Sequence, residues 1–581
     1  MSQSGEGLQV VVYSQELGNF TLDEVMLSRI LLREDVKDLP VVLVSVAGAY
    51  RGGKSFLLNF FLRYLTAPEQ RRNENGEWLG NGDDLLTGFS WRGGADRHTT
   101  GMLMWSEPIF ATLPSGDKVV VLLMDTQGIF DSSSTVRDCS TIFALSTLLS
   151  SVQIYNLKEN VKEDDLQHLQ LFTEYGKQLK KDNGKKPFQV LEFVIRDWQY
   201  DYDYAYGQSG GEELLAKRLE ITEGMATELR ELRQHIRSCF ERVTCFLMPH
   251  PGFEVRKKSF AGEISKLDEE FKTALKELVP SILAPANLTP KLINGGRVTA
   301  RDLFTYFKTY MTIFNSNTMP PIESIMKATS EAALLAAMQV ARELYETRMA
   351  RVTAGLSLPR PALQQEHVAA LQAARAACID KNKMASTKDV NESLARLTQE
   401  LEALLPQYLL INDGNLQKAL GEAKDAYEAS VRRVHGADLL CVHPSDLQTI
   451  HNEAVAAALR VFDARRKQYP GIPDDNRTKL LESFLPRLDE LNTLNNEHNR
   501  LFVADAKLSF MGEVERLLAR DPPLGPYEFR NEYNRAKNRA VAAFKRRRNM
   551  PSTYYADVYE DDLLRSIENR YYIIREINRN T

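Results

Sequence analysis

The chain has 581 residues, 43% of them hydrophobic and 26% charged, with a net charge of −5. That is enough apolar material for a large core divided among two or more domains, and so weak a charge balance excludes a general attraction to nucleic acid or anionic membrane. The five cysteines, Cys139, Cys239, Cys245, Cys378 and Cys441, are odd in number and lack ligand spacing. This argues against a zinc site or a disulfide framework and for a reducing compartment. The opening Met1-Ser2-Gln3-Ser4-Gly5-Glu6-Gly7 has neither the basic region nor the apolar core of a signal peptide, so the expected location is cytoplasmic.

Strand-like runs near residues 10–13, 40–46, 119–124, 151–155, 188–195 and 243–248 alternate with helical stretches such as Asp164 to Lys180 and Glu228 to Phe240. This alternation predicts an α/β domain with a mainly parallel sheet flanked by helices, and a nucleotide at the strand ends. The run Pro40 to Val46 leads into Gly48-Ala49-Tyr50-Arg51-Gly52-Gly53-Lys54-Ser55 and then Phe56-Leu57-Leu58. That is a strand, a phosphate loop and a helix start. In G-x-x-x-x-G-K-S the glycines let backbone N–H groups turn inward around phosphates, and the new helix aims its positive dipole end at them. Lys54 reaches the β- and γ-phosphates, while the Ser55 hydroxyl is a ligand for Mg²⁺.

Further along lies a polar, glycine-rich stretch, Trp91-Arg92-Gly93-Gly94-Ala95-Asp96-Arg97-His98-Thr99-Thr100-Gly101, in which a threonine can close over Mg²⁺ as a switch. Val119 to Met124 is a second buried-strand run ending in Asp125-Thr126-Gln127-Gly128. An aspartate at a strand tip can hold Mg²⁺ through water, and a glycine N–H can meet the γ-phosphate. Val190 to Ile195 ends in Arg196-Asp197-Trp198. A carboxylate there can accept two hydrogen bonds from the N1–H and N2–H₂ edge of guanine, which adenine cannot offer.

At these residues the chain resembles the atlastins, within the dynamin-like GTPases, over roughly residues 8–415. The resemblance rests on the phosphate loop with Arg51 inside it, on Arg97-His98-Thr99-Thr100-Gly101, on Asp125-Thr126-Gln127-Gly128, and on Arg196-Asp197 in place of Asn-Lys-x-Asp. It is carried also by Asp164-Asp165-Leu166-Gln167-His168-Leu169-Gln170-Leu171-Phe172-Thr173-Glu174-Tyr175-Gly176 and Pro249-His250-Pro251-Gly252. The resemblance implies GTP hydrolysis to GDP and phosphate, with Arg51, Lys54 and Thr99 as catalytic residues. Arg51 would be an internal arginine finger, secured when two GTP-loaded domains pair. Gly48, Arg51, Gly52, Gly53, Lys54, Ser55, Phe56, Gln127, Gly128, Arg196 and Asp197 would surround the nucleotide, and Ser55, Thr99 and Asp125 would serve Mg²⁺. Two departures stand out. Gly52 occupies a position where atlastins usually carry lysine, so the loop loses a charge and gains backbone freedom. His98 stands where an acidic residue is expected.

After Pro280 the strand-like alternation gives way to apolar spacings of three and four. The expected organisation is a GTPase domain over 1–293, a linker and three-helix bundle over 294–415 beginning with Arg301 to Phe314, and two further helical units over 416–502 and 503–581. The units echo one another: Ala341-Arg342-Glu343-Leu344-Tyr345 recurs as Ala423-Lys424-Asp425-Ala426-Tyr427 and Ala506-Lys507-Leu508-Ser509-Phe510. The period is roughly 80 residues. Leu363 and His367 correspond to Leu447 and His451 and to Phe529 and Tyr533, and Leu480-Leu481-Glu482-Ser483-Phe484 recurs as Leu563-Leu564-Arg565-Ser566-Ile567, with fainter kinship to Leu397 to Ile411. Lys545-Arg546-Arg547-Arg548 reads as a helix end, where cations suit the dipole.

Atlastins carry a membrane-anchoring hydrophobic hairpin after the bundle. Here the longest apolar stretches, such as Ala403 to Ile411, fall short of the ~18 residues a spanning helix needs. The expectation is a GTP-loaded homodimer with a moving helical arm and a protein partner at the helical repeats, without a transmembrane segment and without nucleic acid. Its membrane association is at most peripheral, on the cytosolic face of the endoplasmic reticulum. The alternative is a GTP-switched scaffold, or a regulator of anchored relatives, with slow hydrolysis.

Overall fold

The computed structural model describes residues 5–14, 19–49, 52–73, 77–80, 82, 84–91, 101–126, 128, 136–172, 186–293, 295–315, 320–381, 387–435, 441–521, 523–549 and 557–580. The chain divides into one compact unit of Met1–Ala341 with Arg375–Leu397 and a second of Arg342–Ala374 with Thr398–Thr581.

The first unit opens with β1 (Gly7–Ser14), β2 (Asn19–Leu22), α1 (Glu24–Leu31), β3 (Val41–Gly48), α2 (Lys54–Thr66) and α3 (Glu69–Asn73). It continues with β4 (Met102–Trp105), β5 (Ile109–Thr112), β6 (Lys118–Thr126), α4 (Val136–Leu149), β7 (Val152–Lys158) and α5 (Glu163–Gln167). Then come β8 (Phe188–Arg196), α6 (Gln208–Arg218), α7 (Thr227–Cys239), β9 (Phe240–Leu247), α8 (Glu269–Leu283), β10 (Leu292–Ile293), β11 (Gly296–Arg297) and α9 (Ala300–Phe314). Among the described residues the strands form a nine-stranded sheet in the order β2-β1-β4-β6-β3-β7-β8-β9, with β5 paired to β6. From β6 to β9 all neighbours are parallel, whereas β1, β2, β4 and β5 pair antiparallel.

β3 shows why the parallel strands read as apolar runs. All eight of its residues are buried. Val41, Leu43 and Ala47 face a core shared with α4 and α9, while Val42, Val44 and Val46 face a second core shared with α2 and α8. A strand covered on both faces has no polar side to show. The antiparallel strands β4 and β5 are only half covered and short. Together with β2 they carry too weak a pattern to be named from sequence. After α8, β10 and β11 pair antiparallel, Leu292 opposite Arg297 and Ile293 opposite Gly296. Just beyond them, Thr299 caps α9 in a reciprocal box: its hydroxyl accepts the Asp302 N–H at 3.3 Å and its own N–H donates to Asp302 Oδ2 at 3.1 Å. Leu303, Tyr306, Phe307, Tyr310 and Phe314 of α9 then join the core of β3.

The remaining helices are α10 (Ile322–Thr353), α11 (Arg360–Lys381), α12 (Thr387–Glu402), α13 (Leu405–His435), α14 (Pro444–Ala464), α15 (Asp475–Leu518), α16 (Pro526–Arg546) and α17 (Val558–Asn580), with β12 (Cys441–Val442) paired in parallel to β13 (Arg548–Asn549). Two separate cores in the second unit have the same layout. One joins Ala423 and Tyr427 of α13, Leu447, Ala454 and Phe462 of α14, and Leu480 and Phe484 of α15. The other joins Ala506 and Phe510 of α15, Phe529, Tyr533 and Phe544 of α16, and Leu563 and Ile567 of α17. Spacings of three, four and seven put these residues on one stripe of each helix. α15 runs unbroken from the first of these cores into the second. Three of the four cations of the basic run are ion-paired, Lys545 with Glu560, Arg547 with Asp505, and Arg548 with Asp557, and Arg546 Nε donates to the Ala542 carbonyl at 3.4 Å. Among the described residues no helix is long and apolar enough to cross a membrane.

Candidate functional site

The site is built where β3, β6 and β8 end. β3 passes through Gly48 and Ala49 into a loop that closes at Gly53, the N-cap of α2, whose φ of 68° and ψ of 26° are left-handed. No atom lies within 4 Å of where a Cβ on Gly53 would sit, so the backbone conformation, not space, calls for glycine here. Lys54 follows as the first residue of α2. Its side chain is buried and its ammonium turns back onto the carbonyls of Gly48 and Ala49, each at 3.2 Å. Burial lowers the Lys54 pKa to about 8, with nearby Asp125 opposing that shift.

At the end of β6, Asp125 is fully buried and its Oδ2 accepts the Ser55 hydroxyl at 2.5 Å. The adjacent Thr126 hydroxyl donates to the Val46 carbonyl at 2.9 Å, fixing the tip of β6 to β3. Gly128 is buried beside it. A hydroxyl and a carboxylate in direct contact form a hard-oxygen pair of the kind Mg²⁺ takes, so these two residues fit the ion.

At the end of β8, Arg196 and Asp197 form an ion pair, Nη1 to Oδ2 at 2.5 Å, with both side chains largely covered. Asp197 adopts φ 57°, an uncommon left-handed conformation that aspartate tolerates better than most residues. Its neighbours hold the turn: the Trp198 N–H donates to the Met248 carbonyl at 3.1 Å and the Trp198 indole N–H to the Tyr204 carbonyl at 2.9 Å. Burial lowers the Arg196 pKa, against the pull of Asp197 and Glu159.

The structure thus gathers Gly48, Gly52, Gly53, Lys54, Ser55, Asp125, Gly128, Arg196 and Asp197 at the ends of three strands of one sheet. The ring of Phe56 instead joins an aromatic cluster with Phe60 and Phe271, at 5.0 and 6.4 Å between centroids. Any contact of Phe56 with a nucleotide therefore falls to its backbone. Arg51, Thr99 and Gln127 lie outside the described residues, as does His98.

One residue the sequence reading passed over stands under the loop. Asn156, on β7 in register with Gly48, is buried, and its Nδ2 donates to the Gly52 carbonyl at 2.6 Å. The Gly52 N–H donates to the Ala49 carbonyl at 3.1 Å. Gly52 is therefore bonded through both its N–H and its carbonyl. A Cβ there would lie 2.7 Å from Asn156 Nδ2 and 2.8 Å from the Ala49 carbonyl oxygen.

A phosphate loop with Lys-Ser, an aspartate at the next strand tip and an Arg-Asp turn two strands away define a P-loop GTPase. The family model described as the guanylate-binding protein N-terminal domain matches residues 17–292. The chain is 48% identical to atlastin of Drosophila melanogaster over 419 residues, covering 71% of this chain and 77% of that protein. It is 45% identical to atlastin-2 of Homo sapiens over 410 residues, 70% of each, and 47% identical to human atlastin-3 over 398 residues, 68% of this chain and 72% of the relative. The chain belongs to the atlastin family of dynamin-superfamily GTPases, enzymes that hydrolyse GTP to GDP and phosphate.

Proposed function

We propose that this GTPase pairs through its nucleotide-binding domain when loaded with GTP, hydrolyses it in the paired state, and moves its helical region as a result. The observation that carries this reading is the convergence of the phosphate loop, Asp125 and the Arg196–Asp197 turn at the strand ends. In this scheme Lys54 and the loop N–H groups bind the phosphates. Ser55 and Asp125 hold Mg²⁺, with Thr99 completing the set. The ion supplies positive charge that offsets the charge of the phosphates. Asp197 accepts the guanine edge, and Arg51 neutralises charge as the γ-phosphoryl group leaves. A second reading, a GTP-switched scaffold with slow turnover, is favoured by the share of the chain outside the atlastin match, 29% against the Drosophila relative's 71% coverage.

Light scattering on the full chain with no nucleotide, with GDP and with GDP·aluminium fluoride, alongside single-turnover hydrolysis, separates the two. Dimerisation with the analogue and hydrolysis that quickens with protein concentration support the enzyme reading. A dimer that persists on intact GTP supports the scaffold. A monomer under every condition removes both. At the reticulum the proposed attachment is peripheral and through a partner. Stable insertion of the purified chain into liposomes, resistant to alkaline extraction, would overturn that.

A further inference from the structure

A short loop precedes each of α11, α14 and α16, and each is gripped by an asparagine at the corresponding place on a later helix. In the first, the Leu358 N–H donates to Asn412 Oδ1 at 2.7 Å and Asn412 Nδ2 donates to the Leu358 carbonyl at 3.0 Å. In the second, the Val442 N–H donates to Asn495 Oδ1 at 3.0 Å and Asn495 Nδ2 donates to the Val442 carbonyl at 2.9 Å. In the third, Asn578 Nδ2 donates to the Leu524 carbonyl at 3.1 Å. Asn412 and Asn495 are both buried.

The residue just before each of the first two gripped positions receives the following set of helices. Ser357 donates its N–H to the Arg465 carbonyl and accepts the Lys467 N–H, both at 3.0 Å, as a parallel bridge opposite Arg466. Cys441 pairs in parallel with Arg548 in the same way. The two arginines sit alike, each with a side chain 2% exposed. Arg466 Nε donates to Asp474 Oδ2 at 2.7 Å, and its guanidinium lies 5.2 Å from the Phe462 ring centroid. Arg548 Nη2 donates to Asp557 Oδ1 at 3.0 Å, and its guanidinium lies 4.4 Å from the Phe544 ring centroid. Arg466 also donates to the Ser357 hydroxyl at 3.1 Å.

Generic amphipathic helices echo one another in apolar spacing, but composition alone does not reproduce a doubly bonded asparagine and a buried Arg–Asp–Phe cluster at matching places. We infer that the helical region from Ile322 to Asn580 is three copies of one module, joined twice by the same latch, and that Pro523 closes the third copy's loop to a further module. Pro523 stands where Ser357 and Cys441 stand, and it has no N–H with which to make the bridge. The latch fixes each module on its neighbour through backbone pairing and a buried ion pair, so the joints act as stiff couplings that pass a displacement along the array. This goes beyond the proposed GTPase cycle and does not depend on it.

Hydrogen exchange on the full chain, read peptide by peptide, tests the inference. Arg466→Ala is expected to speed exchange at least about tenfold around Ser357 and Lys467 and leave the segments around Cys441 and Asn549 unchanged; Arg548→Ala is expected to do the reverse. GTP hydrolysis should be unaltered in both. Arg466→Lys and Arg548→Lys, which keep a charge for the aspartate, serve where the alanine variants do not fold, with the same locality expected. The segment around Pro523 should exchange fast in every variant. Asn412→Ala and Asn495→Ala should each lower the melting temperature by more than Asn578→Ala does. Loosening of both joints by either arginine variant, or of neither, would overturn the latch, and strong protection around Pro523 would overturn the closed third loop.

Discussion

In the GTPase domain the contacts that matter join distant parts of the sequence: Ser55 meets Asp125 across 70 residues and Asn156 meets Gly52 across 104. In the helical region the contacts recur, long ones such as Ser357 with Arg466 across 109 residues and short ones alike. Tyr345 meets His367 across 22 residues and Tyr427 meets His451 across 24. The sheet brings single copies of unlike residues to one place, whereas the helical region repeats one solution at several places. A change at the strand ends should therefore remove function with little loss of stability, and a change in the helices should cost stability locally and leave chemistry alone.

The largest effect should come from breaking the site itself. Arg51→Ala is expected to keep GTP binding within a few-fold and lose about 10³ or more in turnover, because a finger acts on the leaving phosphoryl group and not on the cradle. Lys54→Ala should weaken binding and turnover together, since its ammonium is buried against the carbonyls of Gly48 and Ala49 in the loop proposed to hold the phosphates. Calorimetric binding with single-turnover rates separates the two patterns. Unchanged hydrolysis in the Arg51 variant would remove the finger role.

Next in size is base choice. With Asp197 reading guanine as proposed, Asp197→Asn would put an N–H₂ donor where guanine presents donors, a cost of roughly 2–4 kcal/mol in GTP binding, with preference shifting toward xanthosine triphosphate. Competition binding with the two nucleotides reads this directly. Equal affinity of the unaltered protein for ATP and GTP would refute the assignment.

Smaller again is the support beneath the loop. Asn156→Ala leaves the Gly52 carbonyl without its amide partner, expected to cost about 1–3 kcal/mol in the binding of GDP and GTP alike. Gly52→Ala should act in part through the same contact, since the added methyl meets Asn156 Nδ2 as well as the Ala49 carbonyl oxygen. The double variant should then lose less than the sum of the two. Full additivity would show that the two positions act independently.

The sheet was legible because β3, β6, β7, β8 and β9 carry apolar runs, and the phosphate loop because glycine and lysine at fixed spacing have few other uses. Asn156 and the strands β2, β4 and β5 were not legible. A hydrogen bond to a loop more than a hundred residues away leaves no local pattern, and short half-covered strands alternate too weakly. The helical echoes were visible at Tyr345, Tyr427 and Phe510. The asparagine grips were not, because a buried asparagine in a helix reads like any exposed one.

The smallest effect separates the helical cores from one another. Tyr345 and Tyr427 hydroxyls lie 2.7 and 2.9 Å from Nδ1 of His367 and His451, and both histidines are buried. Burial lowers the pKa of each; at His367 the charge of Glu402 opposes part of that shift. The unfolded chain therefore takes up a proton near pH 6.5 that the folded chain resists, so stability is full above that pH and falls as pH drops below it. The slope is at most roughly 1.4 kcal/mol per pH unit for each histidine. The core of α15, α16 and α17 has Phe510 against Tyr533 at 5.1 Å in these places, with no histidine in the pair. Hydrogen exchange between pH 7 and pH 5, corrected for the intrinsic rate, should show protection falling on α11 and α14 and staying level on α16. An equal fall on all three helices would mean that other groups set the acid response, and that the histidine pairs do not distinguish the cores.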